Sequence, residues 1–220
     1  RTRQSSVPID SSSMHNPAST PAAAEASMTE LAITLRDQLA TAQLKLVLVE
    51  SCTAGRVAAC LGVLPGISQW LCGSFVVYRS ASKAAWLGVP QSLLEDPQRG
   101  PVSPDASGWL ARAALQRTPE ADLAIAVTGD VGPGAPVKTD GCIFLAAAHR
   151  PLVRQEMPAA ASDQPPVWTD TLLALQHHLA APAPSDSSDI DRRRDRLDEA
   201  TRWTLQFAAG AAAELSARRP

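Results

Sequence analysis

The sequence predicts an α/β fold, and three observations predict it. Strand-like apolar runs alternate with helical patterns from about residue 28 to about residue 158, as in a layered domain of sheet and helices. The run "LKLVLVE" (44–50) is continuously rather than alternately apolar, as in a strand covered on both faces. Three strand ends run into small polar residues and glycine turns, where open α/β sheets place their ligands.

Taken in order, residues 1 to 27 are rich in Ser, Pro and Ala without sustained periodicity and read as a disordered tail. The chain does not begin with Met, and folding is expected to begin near Met28, itself a natural start. In "SMTELAITLRDQLATAQ" a cap at Ser27 or Thr29 precedes Leu31, Leu35 and Leu39 on one helical face. The strand 44–50 follows, then a helix over "TAGRVAACLGV" (53–63) and a turn at Pro65-Gly66. "WLCGSFVVY" (70–78) reads as a second strand and "SASKAAWLG" (80–88) as a short helix closed by Gly88. "PDASGWLARAALQR" (104–117) is a helix with Pro104 in its first turn. "ADLAIAVTG" (121–129) and "GCIFLAAAH" (141–149) are strands three and four, and "PLVRQEMPA" (151–159) is a candidate fifth. Beyond residue 158, linker-like "ASDQPP" and "APAPSDSSD" enclose a helix expected at 167–180. A final helix, "DRRRDRLDEATRWTLQFAAGAAAELSA" (191–217), is charged in its first half and Ala-rich in its second.

Composition narrows the function classes. The 220 residues suit one substantial domain with tails. A net charge of -2 and a pI near 6.1 argue against a general nucleic-acid surface. No apolar run reaches the ~20 residues of a membrane span, and the N-terminus carries no secretory pattern. Cys52, Cys60, Cys72 and Cys142 form no CxxC pair and the four His lie at unrelated spacings, so neither a zinc site nor a disulfide scaffold is expected. A reduced, cytoplasmic protein is the expectation.

Three segments carry candidate chemistry. In "VESCTAGR" (49–56) a strand feeds a turn and a helix, placing Ser51 at the carboxyl edge of the sheet beside unpaired backbone N–H groups. That arrangement suits a phosphate or an oxyanion; a plain helix cap uses the same residues. Cys52 is a rival nucleophile, as in a thiol hydrolase. In "SFVVYRSASKAAWLGV" the lone tyrosine, Tyr78, ends a strand and Lys83 follows five residues on. A serine hydroxyl needs a base, and a lysine whose pKa is depressed can be one; a strand-end aromatic and a solvated lysine would read the same. In "AVTGDVGPGAPVKTDG" Thr128 and Gly129 end a strand, the glycines allow close approach to an anion, and Lys138 offers charge. No GK[ST] ending makes it a Walker A loop.

The order of these motifs resembles the C-terminal domain of CinA, the competence/damage-inducible family, over about Met28 to Met157. The resemblance implies a three-layer α/β/α sandwich with a mixed or mostly parallel central sheet, in the stand-alone form without the family's molybdopterin-binding-like domain. It implies hydrolysis of the carboxamide of nicotinamide mononucleotide (NMN), as in pyridine nucleotide salvage, with no metal and no organic cofactor. Ser51 falls on the family's nucleophile, Lys83 on its base, Tyr78 on its tyrosine, and Thr128 on the threonine that orients substrate or supports the lysine. Cys52, Thr53 and Gly55 are then expected to meet the substrate through the turn, and Gly129, Gly132 and Lys138 to face its ribose or phosphate. The expected partners are a small nucleotide and further copies of the chain, in a dimer or higher, with the Ala-rich tail and the helix at 167–180 as contact surfaces. Residues 159–190 read as an insertion within a domain spanning 28–220. The family's "TGIAGP" is "TGDVGP" here and its "KPVG" is "KTDG", adding Asp130 and Asp140. A carboxylate there repels a phosphate unless it turns away or pairs with Lys138 or an arginine. A non-catalytic nucleotide-binding protein is the alternative those two acids raise. Arg192, Arg193, Arg194, Arg196 and Arg202 all qualify as the family's substrate-facing arginine, or as partners in helical pairs such as Asp198–Arg202.

Overall fold

The computed structural model describes residues 26–150, 171–180 and 188–218. A helix α1 (Met28–Ala42) opens the fold, capped by Ser27, whose hydroxyl accepts the Glu30 N–H at 3.2 Å. The Glu30 carboxylate returns to the Ser27 N–H at 2.6 Å, closing a capping box. The remaining helices are α2 (Arg56–Gly62), α3 (Ser80–Leu87), α4 (Gln91–Leu94), α5 (Pro104–Arg117) and α6 (Asp189–Ala217). The strands are β1 (Leu46–Glu50), β2 (Leu71–Val76), β3 (Leu123–Gly129), β4 (Cys142–His149) and β5 (Thr171–His178).

These strands form one sheet in the order β2-β1-β3-β4-β5. β1 pairs in parallel with β2 and with β3, whereas β4 runs antiparallel to both β3 and β5. Alternation along the strands supplies both faces. Leu46 and Leu48 of β1 and Leu123 and Ile125 of β3 pack under α1, α2 and α6. Val47 and Val49 of β1 and Ala124 and Ala126 of β3 pack under α3, α4 and α5. The sheet is therefore the middle of three layers, as the continuous apolar run of β1 requires.

Two expectations are corrected. The helix expected at 167–180 is strand β5 over 171–178, laddered onto β4 from Cys142↔His178 to Ala148↔Thr171. Leu-rich "TLLALQHH" has good helix formers, but the open edge of β4 offers a hydrogen-bond ladder that local propensity does not see. The burial of Leu175 and His177 relative to Ala174, Gln176 and His178 follows the two-residue period of a strand. The Ala-rich end of α6 is no free contact surface: Ala208, Ala209, Ala211 and Ala212 are buried in the chain's own core with α1. Small side chains let those two helices approach closely. The strand expected at 151–159 and nearly all of the tail 1–27 lie outside the described residues. No helix among the described residues is long and apolar enough to cross a membrane.

Candidate active site

The carboxyl ends of β1, β2 and β3 lie at one edge of the sheet, because those strands run parallel in register. Glu50 ends β1, and Val77 N–H and Ser51 N–H extend the ladders to Glu50 and Val127 carbonyls at 2.8 and 3.1 Å. The chain then turns through Ser51–Gly55, where Ala54 and Gly55 take φ of 53° and 93°, before entering α2. Ser51 is buried apart from its cavity-facing surface. Among the described residues no other residue hydrogen-bonds its hydroxyl or the N–H groups of Cys52 and Thr53.

Lys83 enters from the first turns of α3 and is only 2% exposed. Its Nζ donates to the Pro101 carbonyl at 3.0 Å and to Thr128 Oγ1 at 3.1 Å. Thr128, at the end of β3, in turn donates to the same Pro101 carbonyl at 2.9 Å. Burial pushes the Lys83 ammonium down to about 8, with Cys52 and Asp130 pulling weakly upward. Burial pushes the neighbouring Cys52 thiol up to about 12, which keeps it protonated and a poor nucleophile at neutral pH.

A cavity of about 340 Å³ joins these groups: Ser51, Cys52, Tyr78, Lys83, Gly129 and Gly132 all line it. Tyr78 stays half exposed at the rim. Across the mouth, Arg193 of α6 donates to the Tyr78 hydroxyl at 2.6 Å and to the Gly132 carbonyl. Of the five candidate arginines, Arg193 is the one on this cavity. Arg192 and Arg196 line a neighbouring cavity of about 370 Å³ behind the 131–137 loop.

The Thr53 side chain, the Gly55 amide and the Lys138 ammonium are engaged by other groups of the fold. Thr53 Oγ1 and Gly55 N–H are bound to the Glu50 carboxylate at 2.8 and 2.9 Å, so that side chain and that amide are occupied within the fold. Lys138 reaches Gln98 at 3.5 Å and does not line the cavity. The glycines of the third segment have packing reasons too. A Cβ on Gly129 would stand 2.6 Å from the Cys142 carbonyl, and one on Gly132 2.6 Å from Asp140 and 2.7 Å from Arg196.

Both added acids have partners. Asp140 pairs with Arg196 Nη1 at 2.7 Å and Nη2 at 3.3 Å, and Asp130 accepts from the Thr139 hydroxyl. Asp130 nevertheless lines the cavity, near enough to influence Lys83. Asp198 pairs with Arg56 across to α2 rather than with Arg202, which donates to the Ala26 carbonyl.

Comparison with known proteins gives the family and the fold. The family model for the CinA C-terminal domain matches residues 28–174. The chain belongs to the CinA C-terminal domain family. It is 34% identical over 149 residues to the nicotinamide-nucleotide amidohydrolase PncC of Pseudomonas putida, covering 67% of this chain and 91% of that one. A CinA-like protein of Geobacter metallireducens is 43% identical over 107 residues, covering 48% of this chain. The chain spans only 25% of that protein's length, so it matches about a quarter of such longer CinA-like relatives. Among solved structures, the competence/damage inducible protein CihA of Agrobacterium tumefaciens superposes with a TM-score of 0.62 at 27% identity, over 84% of this chain and 94% of that one. The competence damage-inducible protein A of Klebsiella pneumoniae shares the fold, with a TM-score of 0.66 at 20% identity over 84% and 96% of the two chains.

Proposed function

We propose that this chain is an amidohydrolase that converts nicotinamide mononucleotide to nicotinate mononucleotide and ammonia. The observation that carries the proposal is Lys83: buried, pushed down to about 8, hydrogen-bonded to Thr128, and lining one cavity with Ser51. A lysine so placed is partly neutral near neutral pH and available as a base. The PncC relative of Pseudomonas putida supports the amide class by its name.

In this reading Ser51 Oγ attacks the carboxamide carbon while its proton passes to Lys83 Nζ. The oxyanion is met by the Cys52 and Thr53 N–H groups. The tetrahedral adduct collapses to an acyl ester as Lys83 returns the proton to the departing nitrogen, releasing ammonia. Water then attacks the ester with Lys83 again as base, and the carboxylate leaves Ser51 free. Thr128 and the Pro101 carbonyl hold the lysine in place, and Arg193 with Tyr78 borders the entrance where the nucleotide's phosphate lies. A thiol mechanism through Cys52 is disfavoured by its raised pKa. The binding-only alternative loses its motive, since Asp130 and Asp140 are engaged by Thr139 and Arg196.

The test is turnover of NMN by the full chain without added metal, with ammonia and nicotinate mononucleotide followed together. Equal appearance of both, abolished in Ser51→Ala, is expected. A folded protein that releases neither product overturns the reading.

A further inference from the structure

Glu50 closes β1 at the sheet edge, and the mechanism above does not use it. It has no exposed surface, yet it is a carboxylate beside the candidate nucleophile. Five donors converge on it. Its Oε2 accepts from Thr53 Oγ1 at 2.8 Å, Gly55 N–H at 2.9 Å and Val57 N–H at 3.1 Å. Its Oε1 accepts from Ala58 N–H at 3.0 Å and from Ser74 Oγ of β2 at 3.1 Å. No cation pairs with it among the described residues; the backbone dipoles entering α2 balance its charge instead.

This arrangement alters how the turn works. The first amides of α2 are already taken by Glu50, so the helix end is not open to a ligand. The groups left without such a partner are one step earlier: the Ser51 hydroxyl and the Cys52 and Thr53 N–H groups, of which Ser51 and Cys52 belong to residues that line the cavity. We infer that Glu50 is a positioning residue, tying the turn to α2 and β2 so that Ser51 and Cys52 are held against the cavity. This rests on the reading of Ser51 as nucleophile. The position calls for an acceptor-only group, because three of its five donors are backbone N–H groups that cannot reverse their role. A glutamine amide would set N–H against N–H at one of its two ends.

Glu50→Gln keeps the size of the side chain and removes that property. Two readouts are used on the full chain: steady-state turnover of NMN, and the rate at which a fluorophosphonate labels Ser51 in the absence of substrate. With the variant folded by circular dichroism, kcat is expected to fall roughly 10²-fold, the scale of losing an oxyanion donor. KM is expected to stay within about twofold, and labelling of Ser51 to slow in parallel. A folded variant with unchanged kcat and unchanged labelling overturns the inference. Should Glu50→Gln not fold, Ser74→Ala decides, since it removes one donor from outside the cavity. A parallel fall of about fivefold in kcat and labelling supports the positioning role, and a lowered Tm with both rates intact overturns it. If the native protein labels at Ser51 but leaves NMN intact, the proposed substrate fails and the labelling comparison alone judges Glu50. If Ser51 of the native protein resists labelling and NMN is untouched, both readings fall.

Discussion

The parallel half of the sheet, β2-β1-β3, and the antiparallel half, β4-β5 with α6, contribute to the cavity in different ways. The parallel half supplies the groups proposed to react. Ser51 follows β1 directly, Tyr78 and Lys83 follow β2, and Thr128 lies at the end of β3, so parallel pairing brings all of them to one edge. The other half supplies the wall. The loop after β3 is tied down by Asp140–Arg196, and Arg193 joins Tyr78 to Gly132 across the mouth. The groups proposed to react are placed by local strand-end geometry, and the enclosure around them by pairs between distant segments.

The sharpest way to break that comparison is to remove the reacting groups. Ser51→Ala and Lys83→Met are each expected to lower kcat by roughly 10³-fold or more with the fold intact; a comparable loss from any α6 variant would erase the distinction. Next in size is Asp140→Ala on the wall. It strands Arg196, whose side chain is 13% exposed and whose Nε already has no partner among the described residues. A loss of about 1–3 kcal/mol in stability is expected, read by urea denaturation, because a mostly buried donor loses its acceptor.

Arg193→Ala is expected to raise KM for NMN about tenfold while kcat changes little, the signature of uniform binding. If kcat falls instead, α6 takes part in the chemistry. A smaller effect concerns pH. In the proposed mechanism neutral Lys83 is the active form, so kcat/KM is expected to rise with pH and level off above about 8. Asp130 raises the Lys83 pKa, so Asp130→Asn is expected to move that limb to lower pH. The least effect belongs to Asp198→Ala, since the Arg56–Asp198 pair is 41% exposed on each side; about 0.5 kcal/mol or less is expected.

The site is legible in sequence where its logic is local. A buried strand running into "SCTAG", a tyrosine at a strand end with a lysine one helical turn further on, and "VTG" before a glycine loop are patterns within a few residues. They point to Ser51, Tyr78, Lys83 and Thr128, and those four converge on the cavity or on one another. Local logic does not show that the Thr53 hydroxyl and the Gly55 amide bind Glu50, or that Lys138 turns to Gln98. Glu50 itself stands in plain view in "VESC", and its apolar surroundings are the one available signal: an acid closing a continuously buried strand needs donors.

By itself, then, the sequence determined the alternation of elements, the cap at the start of α1 and the two-faced burial of β1. Each depends on side-chain chemistry within a turn or a strand. Only the tertiary structure decided that 171–178 joins the sheet, that Arg193 faces the cavity while Arg196 holds Asp140, and that the alanines of α6 are core. Those outcomes follow from ladders and ion pairs between segments tens of residues apart, whose energies no local window contains.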